Sequence, residues 1–253
     1  ELFFQHFLMA KLASDSVTPL FKTYQRQYRK QLDQSQGSSY ELSELSRYSK
    51  VYTEITECNM GSVVGESMRF YKIFDITSLH PFVLYLENEV DLNDSESKRV
   101  YSILEAYTLR RMLCTTQGHK NFNKFFSDFI KKFKKEGFSI DYLVRLLSDQ
   151  TSDTTKWPDD YSVKSALHGR WSEIGVNRNV LRYILYRIEL HKRGSNRFVE
   201  KDEIPFNQFT LEHIMPEKWK ATWLLDTADG SQKYQDLFSD EYPYYYRMFL
   251  LGR

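Results

Sequence analysis

The chain has 253 residues, 41% hydrophobic and 27% charged, which excludes a disordered chain and allows one large domain or two ordinary ones. A net charge of +1 excludes bulk electrostatic attraction to nucleic acid, so any such binding has to come from local patches. Only 10 glycines and 6 prolines occur, as long helices require, and aromatic residues reach 16%.

Cys58 and Cys114 form no CxxC pair and no disulfide framework, so a reducing, cytoplasmic compartment is expected. No apolar run approaches the roughly 20 residues that span a bilayer; the longest obvious one is "PFVLYL", and no membrane partner is expected. The opening stretch "ELFFQHFLMAKLA" lacks a basic leader and carries Gln5 and His6, which reads as an amphipathic helix rather than a signal peptide. The first residue is Glu, as in a piece of a longer protein.

In chain order, Leu2, Phe3, Phe7 and Leu8 share one face of a helix over 2–13. A second helix, 18–34, has Thr18 as N-cap and Pro19 at its first position, with Arg26, Arg29 and Lys30 on a polar, basic side. Leu42, Leu45, Tyr48, Tyr52 and Ile55 space a helix over 39–57; Gly61 and Gly65 interrupt the pattern before a helix around 64–75. Another starts after Pro81. From Ser95 a long helix follows, capped by Ser95 or Ser97, with Val100, Ile103, Leu104, Tyr107 and Met112 on its apolar side. Over 121–136 six apolar residues from Phe122 to Phe133 make one face, and lysines crowd the other. "IDYLVRLLSD" and "YSVKSALHGR" are shorter helices; "NRNVLRYILYRIELHKR" is a strong one. At Gly194 the sequence turns polar and β-prone. The expected domains are therefore a helical one over 1–193 and a smaller one over 194–253, with an aromatic tail that is a short helix or strand.

The stretch "FTLEHIMPEKW" carries the most chemistry. It has a strand-like lead-in, then Glu212 and His213 side by side, then Pro216 directing the chain away. A neutral imidazole suits a base that activates water, and a carboxylate suits a hard cation such as Mg²⁺ or Mn²⁺. The plainer alternative is a buried strand end with a satisfied histidine. Neighbours on a regular strand point to opposite faces, so Glu212 and His213 share a site only where the strand ends or bulges. Trp219 reads as a packing anchor, with base stacking as its alternative.

Arg110 and Arg111 inside an apolar helix read as internal ion pairs, with Glu105 or Asp128 as candidate partners, or as a phosphate clamp. Lys131, Lys132, Lys134 and Lys135 read as a solvated helix face or as a nonspecific DNA-backbone contact. His6, His80, His119, His168 and His191 show no metal-ligand spacing, and no P-loop, GxGxxG or GxSxG occurs.

In three places the chain resembles the GmrSD-type modification-dependent restriction proteins and their phage-defence relatives: "ILEAYTLRRMLC" with "KNFNKFF", "NVLRYILYRIE", and "FTLEHIMPEKW". Their order and spacing agree with the family over roughly residues 1 to 220. The resemblance implies a mainly α multi-helix bundle followed by a partial ββα-metal (HNH-like, His-Me finger) α+β domain. It implies a DNA endonuclease that restricts foreign, modified DNA, with His213 as the catalytic base, Glu212 as a metal ligand and a divalent Mg or Mn as cofactor.

The family's Asp-Gly-Gln-Gln-Arg nucleotide motif is absent, so any nucleotide would belong to a domain preceding residue 1. The family's second nuclease strand, a Leu-Gly-Asn-Leu-Thr-Leu-like stretch, would begin about at "MFLLGR", and its Asn and Lys on a closing helix are missing. The segment alone is therefore expected to be inactive or nearly so. DNA is the expected partner; a homo-oligomer remains open. A helical DNA-binding or interaction module, coupled to a missing nucleotide-hydrolysing domain and carrying a vestigial nuclease motif, is the alternative.

Overall fold

Five consecutive residues of the first helix, His6 to Ala10, are buried, so α1 (Leu2–Leu12) is a central helix enclosed on all sides at its middle rather than the amphipathic surface helix expected. The computed structural model describes residues 1–31, 37–115, 122–168, 178–195, 205–213 and 249–252. These divide into two compact units. One comprises Glu1–Arg111 and His119–Trp157; the other comprises Met112–Gly118 and Pro158–Arg253. The described residues are mainly helical, and no helix among them is long and apolar enough to cross a membrane.

In the first unit, α2 (Leu20–Thr23), a π-helical turn (Tyr24–Tyr28) and α3 (Arg29–Gln31) follow α1. Pro19 occupies the N-cap position, with extended backbone, rather than the first helical position. α4 (Ser38–Glu57) leads to α5 (Val63–Ile73), whose N-cap Ser62 accepts a hydrogen bond from the Gly65 amide at 3.3 Å. Gly65 does not break this helix, contrary to expectation. A Cβ there would lie 2.4 Å from the Asn59 carbonyl oxygen, so the glycine lets the helix approach the preceding turn. The earlier helix already ends at Glu57, with Cys58 as its left-handed C-cap (φ 58), and Gly61 takes φ +87 in the turn before α5.

α6 (His80–Glu89), with Pro81 in its first turn, is buried from His80 to Leu86 and is the second central helix. It packs against α1, α4 and α8 (Phe122–Glu136). α7 (Asp94–Cys114) is capped by Asn93 rather than by Ser95 or Ser97. The Asn93 side-chain oxygen accepts from the Ser95 and Glu96 amides at 3.0 and 3.1 Å, and the Glu96 carboxylate accepts from the Asn93 amide at 3.0 Å. This reciprocal arrangement is a capping box, with Asn in the cap position.

The aromatic content is spent mostly on packing. Phe82 stacks on Phe126 at 4.8 Å, and Phe125 lies 4.5 Å from Phe129. One ionic network ties α1, α4 and α6 together. Lys11 reaches Glu44 at 2.5 Å and Glu89 at 2.8 Å, and the Tyr48 hydroxyl donates to Glu89 at 2.5 Å. Burial works against the Lys11 charge, but the two carboxylates outweigh it and raise its pKa. α9 (Ile140–Ser148), capped by Ser139, completes the described helices of this unit.

In the second unit, α10 (Asp160–His168) and α11 (Arg178–Ser195) precede a two-stranded antiparallel sheet of β1 (Thr210–His213) and β2 (Phe249–Gly252). α11 packs against both strands. Its longer segment, Pro158–Arg253, holds α11 together with both strands.

Candidate functional site

The approach to β1 is fixed by aromatic packing on α11. Pro205 opens a 3-10 turn over Phe206–Gln208, and the Phe209 amide closes it on the Phe206 carbonyl at 3.2 Å. Phe206 and Phe209 then meet Tyr186, each at 5.5 Å, while Phe206 lies 5.9 Å from Tyr183. The Arg182 guanidinium lies 4.2 Å over the Phe206 ring and donates to the Phe209 carbonyl at 3.4 Å. Phe209, Tyr183 and Tyr186 are buried, so the chain enters β1 from an anchored point.

From there the strand is regular. Thr210 pairs with Gly252, Leu211 with Leu251, Glu212 with Leu250 and His213 with Phe249, with no bulge. Thr210 and Glu212 are exposed, Leu211 is half-buried, and the Thr210 hydroxyl donates to a Glu212 carboxylate oxygen at 2.9 Å. Residues two apart share a face of a strand, which accounts for this contact. His213 is the last described residue of β1. The tail expected as helix or strand supplies its partner, because Phe249–Gly252 is a strand. Pro216, Trp219 and His119 lie outside the described residues.

The Glu212 carboxylate, exposed and held by one hydroxyl, suits a hard cation through oxygen. Among the described residues no three His, Cys, Asp or Glu side chains come together as a metal-binding group. Glu212 could supply one ligand.

The basic candidates are placed differently from one another. Arg111 is completely buried; its guanidinium lies 5.5 Å over the Tyr107 ring and faces the Lys156 carbonyl at 3.4 Å. Burial lowers the Arg111 pKa and raises that of Tyr107 to about 12. These are internal contacts of a packed helix. Arg110 is half-buried. On α8, Lys131 pairs with Asp128 at 2.9 Å, Lys132 lies 6.0 Å over the Phe129 ring, and Lys134 donates to the Lys11 carbonyl at 2.5 Å. Lys135, like Arg26, Arg29 and Lys30, is exposed.

One juxtaposition has no signature in sequence spacing. His6 and His80, 74 positions apart, bring their rings edge-to-face at 5.4 Å, with Tyr52 about equally near both. Both are buried, and the Nδ1 atom of each is buried without a hydrogen-bond partner. Burial pushes both imidazoles down to about 4, and for His80 the neighbouring His6 adds to the effect. Two contacting helices bring them together, which no linear pattern shows.

Residues 157–242 match the family described as GmrSD restriction endonucleases, C-terminal domain. No curated protein and no solved structure matches the chain. The match begins at Trp157, the residue before the second unit's longer segment, Pro158–Arg253, and it contains α10, α11 and β1. The segment 157–242 of this chain is thus similar to the C-terminal domain of the GmrSD restriction endonucleases.

Proposed function

We propose that this chain is the C-terminal part of a DNA endonuclease that restricts foreign, modified DNA by metal-dependent phosphodiester hydrolysis, with His213 as general base. The observation that carries this reading is the place of His213 in β1. His213 pairs with Phe249 of the antiparallel partner strand, within the segment that matches a restriction-endonuclease domain. A neutral imidazole at that position takes a proton from water as the water oxygen forms its bond to phosphorus. The bond to the leaving oxygen then breaks, and that oxygen takes up a proton.

Glu212, one position earlier, is the proposed cation ligand. A bound Mg²⁺ or Mn²⁺ would supply positive charge against the phosphate oxygens. The modified-DNA specificity, and the nucleotide handled by a preceding domain, follow from the family and not from residues of this chain. A weak, nonspecific backbone contact with DNA is proposed for the lysines of α8: Lys131, Lys132, Lys134 and Lys135.

A second reading has its own observation. Glu212 and His213 occupy consecutive positions of an unbulged ladder, and such positions belong to opposite faces of a regular strand. A helical DNA-binding module with a vestigial nuclease strand would tolerate that arrangement. In the full-length protein, His213→Ala separates the two readings. The nuclease reading expects metal-dependent DNA cleavage to fall by about 10²–10⁴-fold with the circular dichroism spectrum unchanged. Full-length protein that cuts equally well with His213→Ala would exclude His213 as the base.

A further inference from the structure

Between Asp15 and Asp33 the sequence carries Lys22, Arg26, Arg29 and Lys30 and no acid. All four are exposed, on the continuous helical segment that runs from α2 through the π-helical turn to α3. Lys22, Arg26 and Lys30 follow one another at four-residue steps. Four residues slightly overshoot a turn of α-helix, at about 3.6 residues, and slightly undershoot the wider π turn, so the three charges line up along one side. At about 1.5 Å per residue the stripe from Lys22 to Lys30 is about 12 Å long.

The other side anchors the segment. Thr23 and Tyr28 are buried, the Tyr28 ring lies 5.3 Å from Phe7, and the Tyr24 ring lies 5.4 Å from Phe4, both phenylalanines being on α1. The Tyr24 hydroxyl donates to the Glu41 carboxylate of α4. The stripe therefore rides on a packed element.

Its charges are unopposed. Among the described residues none of Lys22, Arg26 and Lys30 takes part in an ion pair. By contrast, Lys11 on α1 is held by Glu44 and Glu89, and Arg47 on α4 by Glu44. Arg29 acts electrostatically on the Tyr24 hydroxyl and is left out of the stripe. Like charges four residues apart on a helix repel one another, a tension that a bound polyanion relieves.

We infer that Lys22, Arg26 and Lys30 form a contact stripe for the phosphate backbone of duplex DNA. This rests on the nuclease reading for the identity of the polyanion and deepens it by naming where on the helical unit the substrate is held. Ammonium and guanidinium groups suit phosphate oxygens, and such contacts position a duplex without reading its sequence. Duplex DNA carries one charge per about 1.7 Å of axis, so a stripe of this length meets several phosphates. An anionic membrane is the rival polyanion. A helix lying on a membrane directs an apolar face outward. Here Tyr24 and Tyr28 are turned onto α1, which leaves Phe21 as the one exposed aromatic side chain of the segment.

The test uses the full-length protein with the triple variant Lys22→Gln/Arg26→Gln/Lys30→Gln and two fluorescently labelled duplexes of unrelated sequence. Anisotropy titrations are run between about 50 and 200 mM salt. The expected result is a Kd raised at least about ten-fold at the lowest salt on both duplexes. The slope of log Kd against log salt should be shallower by about 2.7, for three lost phosphate contacts at about 0.9 each. Lys22→Arg/Arg26→Lys/Lys30→Arg should keep the wild-type slope. An unchanged Kd and slope in the glutamine variant would overturn the inference. So would wild-type binding to phosphatidylserine vesicles that the glutamine variant loses while its DNA affinity stays the same.

Thermal melting checks the fold. If the triple variant melts early, Arg26→Gln alone replaces it, with a loss of about 0.9 in slope expected and an unchanged slope again overturning the inference. The nuclease reading fails separately, through His213→Ala, and that failure leaves the binding titrations intact.

Discussion

α8 and α11 carry equal numbers of lysines and arginines, five each. In α8 these are Lys124, Lys131, Lys132, Lys134 and Lys135; in α11 they are Arg178, Arg182, Arg187, Lys192 and Arg193. The two helices use them differently. α8 buries a full-length stripe of phenylalanines, and three of its lysines are turned to internal purposes: one on Asp128, one over Phe129, one on the end of α1. α11 buries only its first half and leaves its last turns basic and exposed. A run of like charges in a sequence thus says little about a binding surface until the reach of each side chain is known. A lysine stem can lie along apolar surface and end on a carbonyl of its own protein.

The largest expected effect tests the structural side of this contrast. Phe129 is buried among Phe125, Phe126 and Phe133. Phe129→Ala should cost about 3–5 kcal/mol of stability, measured by denaturant titration, because it removes a ring and leaves a cavity. In α11, Ile188 is exposed, and Ile188→Ala should stay within about 0.5 kcal/mol of wild type. Similar costs at the two positions would mean that the exposed half of α11 is covered, and the contrast would collapse.

The fold was legible where periodicity carries it. The spacing from Leu42 to Ile55 and the phenylalanine stripe of α8 each mark a helix that the structure contains. Caps were less legible, because several polar residues cluster before a helix and only geometry selects among them. Asn93 wins over Ser95 and Ser97 because its carbonyl oxygen reaches two amides at once. Composition changes at Gly194, while the side chains of α11 pack against the described residues that come after it. Of the candidate site, the strand was visible in "FTLEH"; its partner strand was not distinguishable from a helix in an aromatic tail. The burial of Arg111 agrees with the internal reading of the arginine pair, while its contacts with the Tyr107 ring and the Lys156 carbonyl were not legible in the sequence. The meeting of His6 and His80 depends on the packing of α1 on α6, and no local pattern encodes it.

That histidine pair gives the next effect in size, and it falls on the unit that contains α8. Both imidazoles titrate near 6.5 when unfolded and are pushed down to about 4 in the fold. Between these values the unfolded chain binds more protons than the folded one, so stability rises with pH. It is fully present above about pH 6.5 and is lost as the pH falls toward 4, by up to about 1.4 kcal/mol per pH unit for each histidine. Hydrogen exchange should show the amides of α1 and α6 losing protection across this window. His6→Phe/His80→Phe should flatten the dependence. The described anchoring of α11, made by Tyr183, Tyr186, Phe206 and Phe209, should change less. Wild-type protection in α1 and α6 that does not vary with pH would remove the pair from the account.

The smallest effect returns to the lysines of α8 and sets them against the stripe of Lys22, Arg26 and Lys30 as DNA contacts. Lys131→Gln/Lys132→Gln in α8 removes as many charges as Lys22→Gln/Arg26→Gln in the stripe. Counting charges alone, the two should weaken DNA binding equally. Placement predicts otherwise. Lys131 is already neutralised in part by Asp128, and exposed pairs of this kind are worth little, so its loss perturbs the fold only slightly. The Lys132 ammonium spends part of its time over the Phe129 ring. The α8 variant should therefore raise Kd by no more than about two- to three-fold and flatten the salt dependence by less than one phosphate contact, about 0.9 in slope. Equal losses from the two variants would show that both surfaces face the duplex. A larger loss from α8 would move the DNA surface away from the stripe and onto the phenylalanine helix.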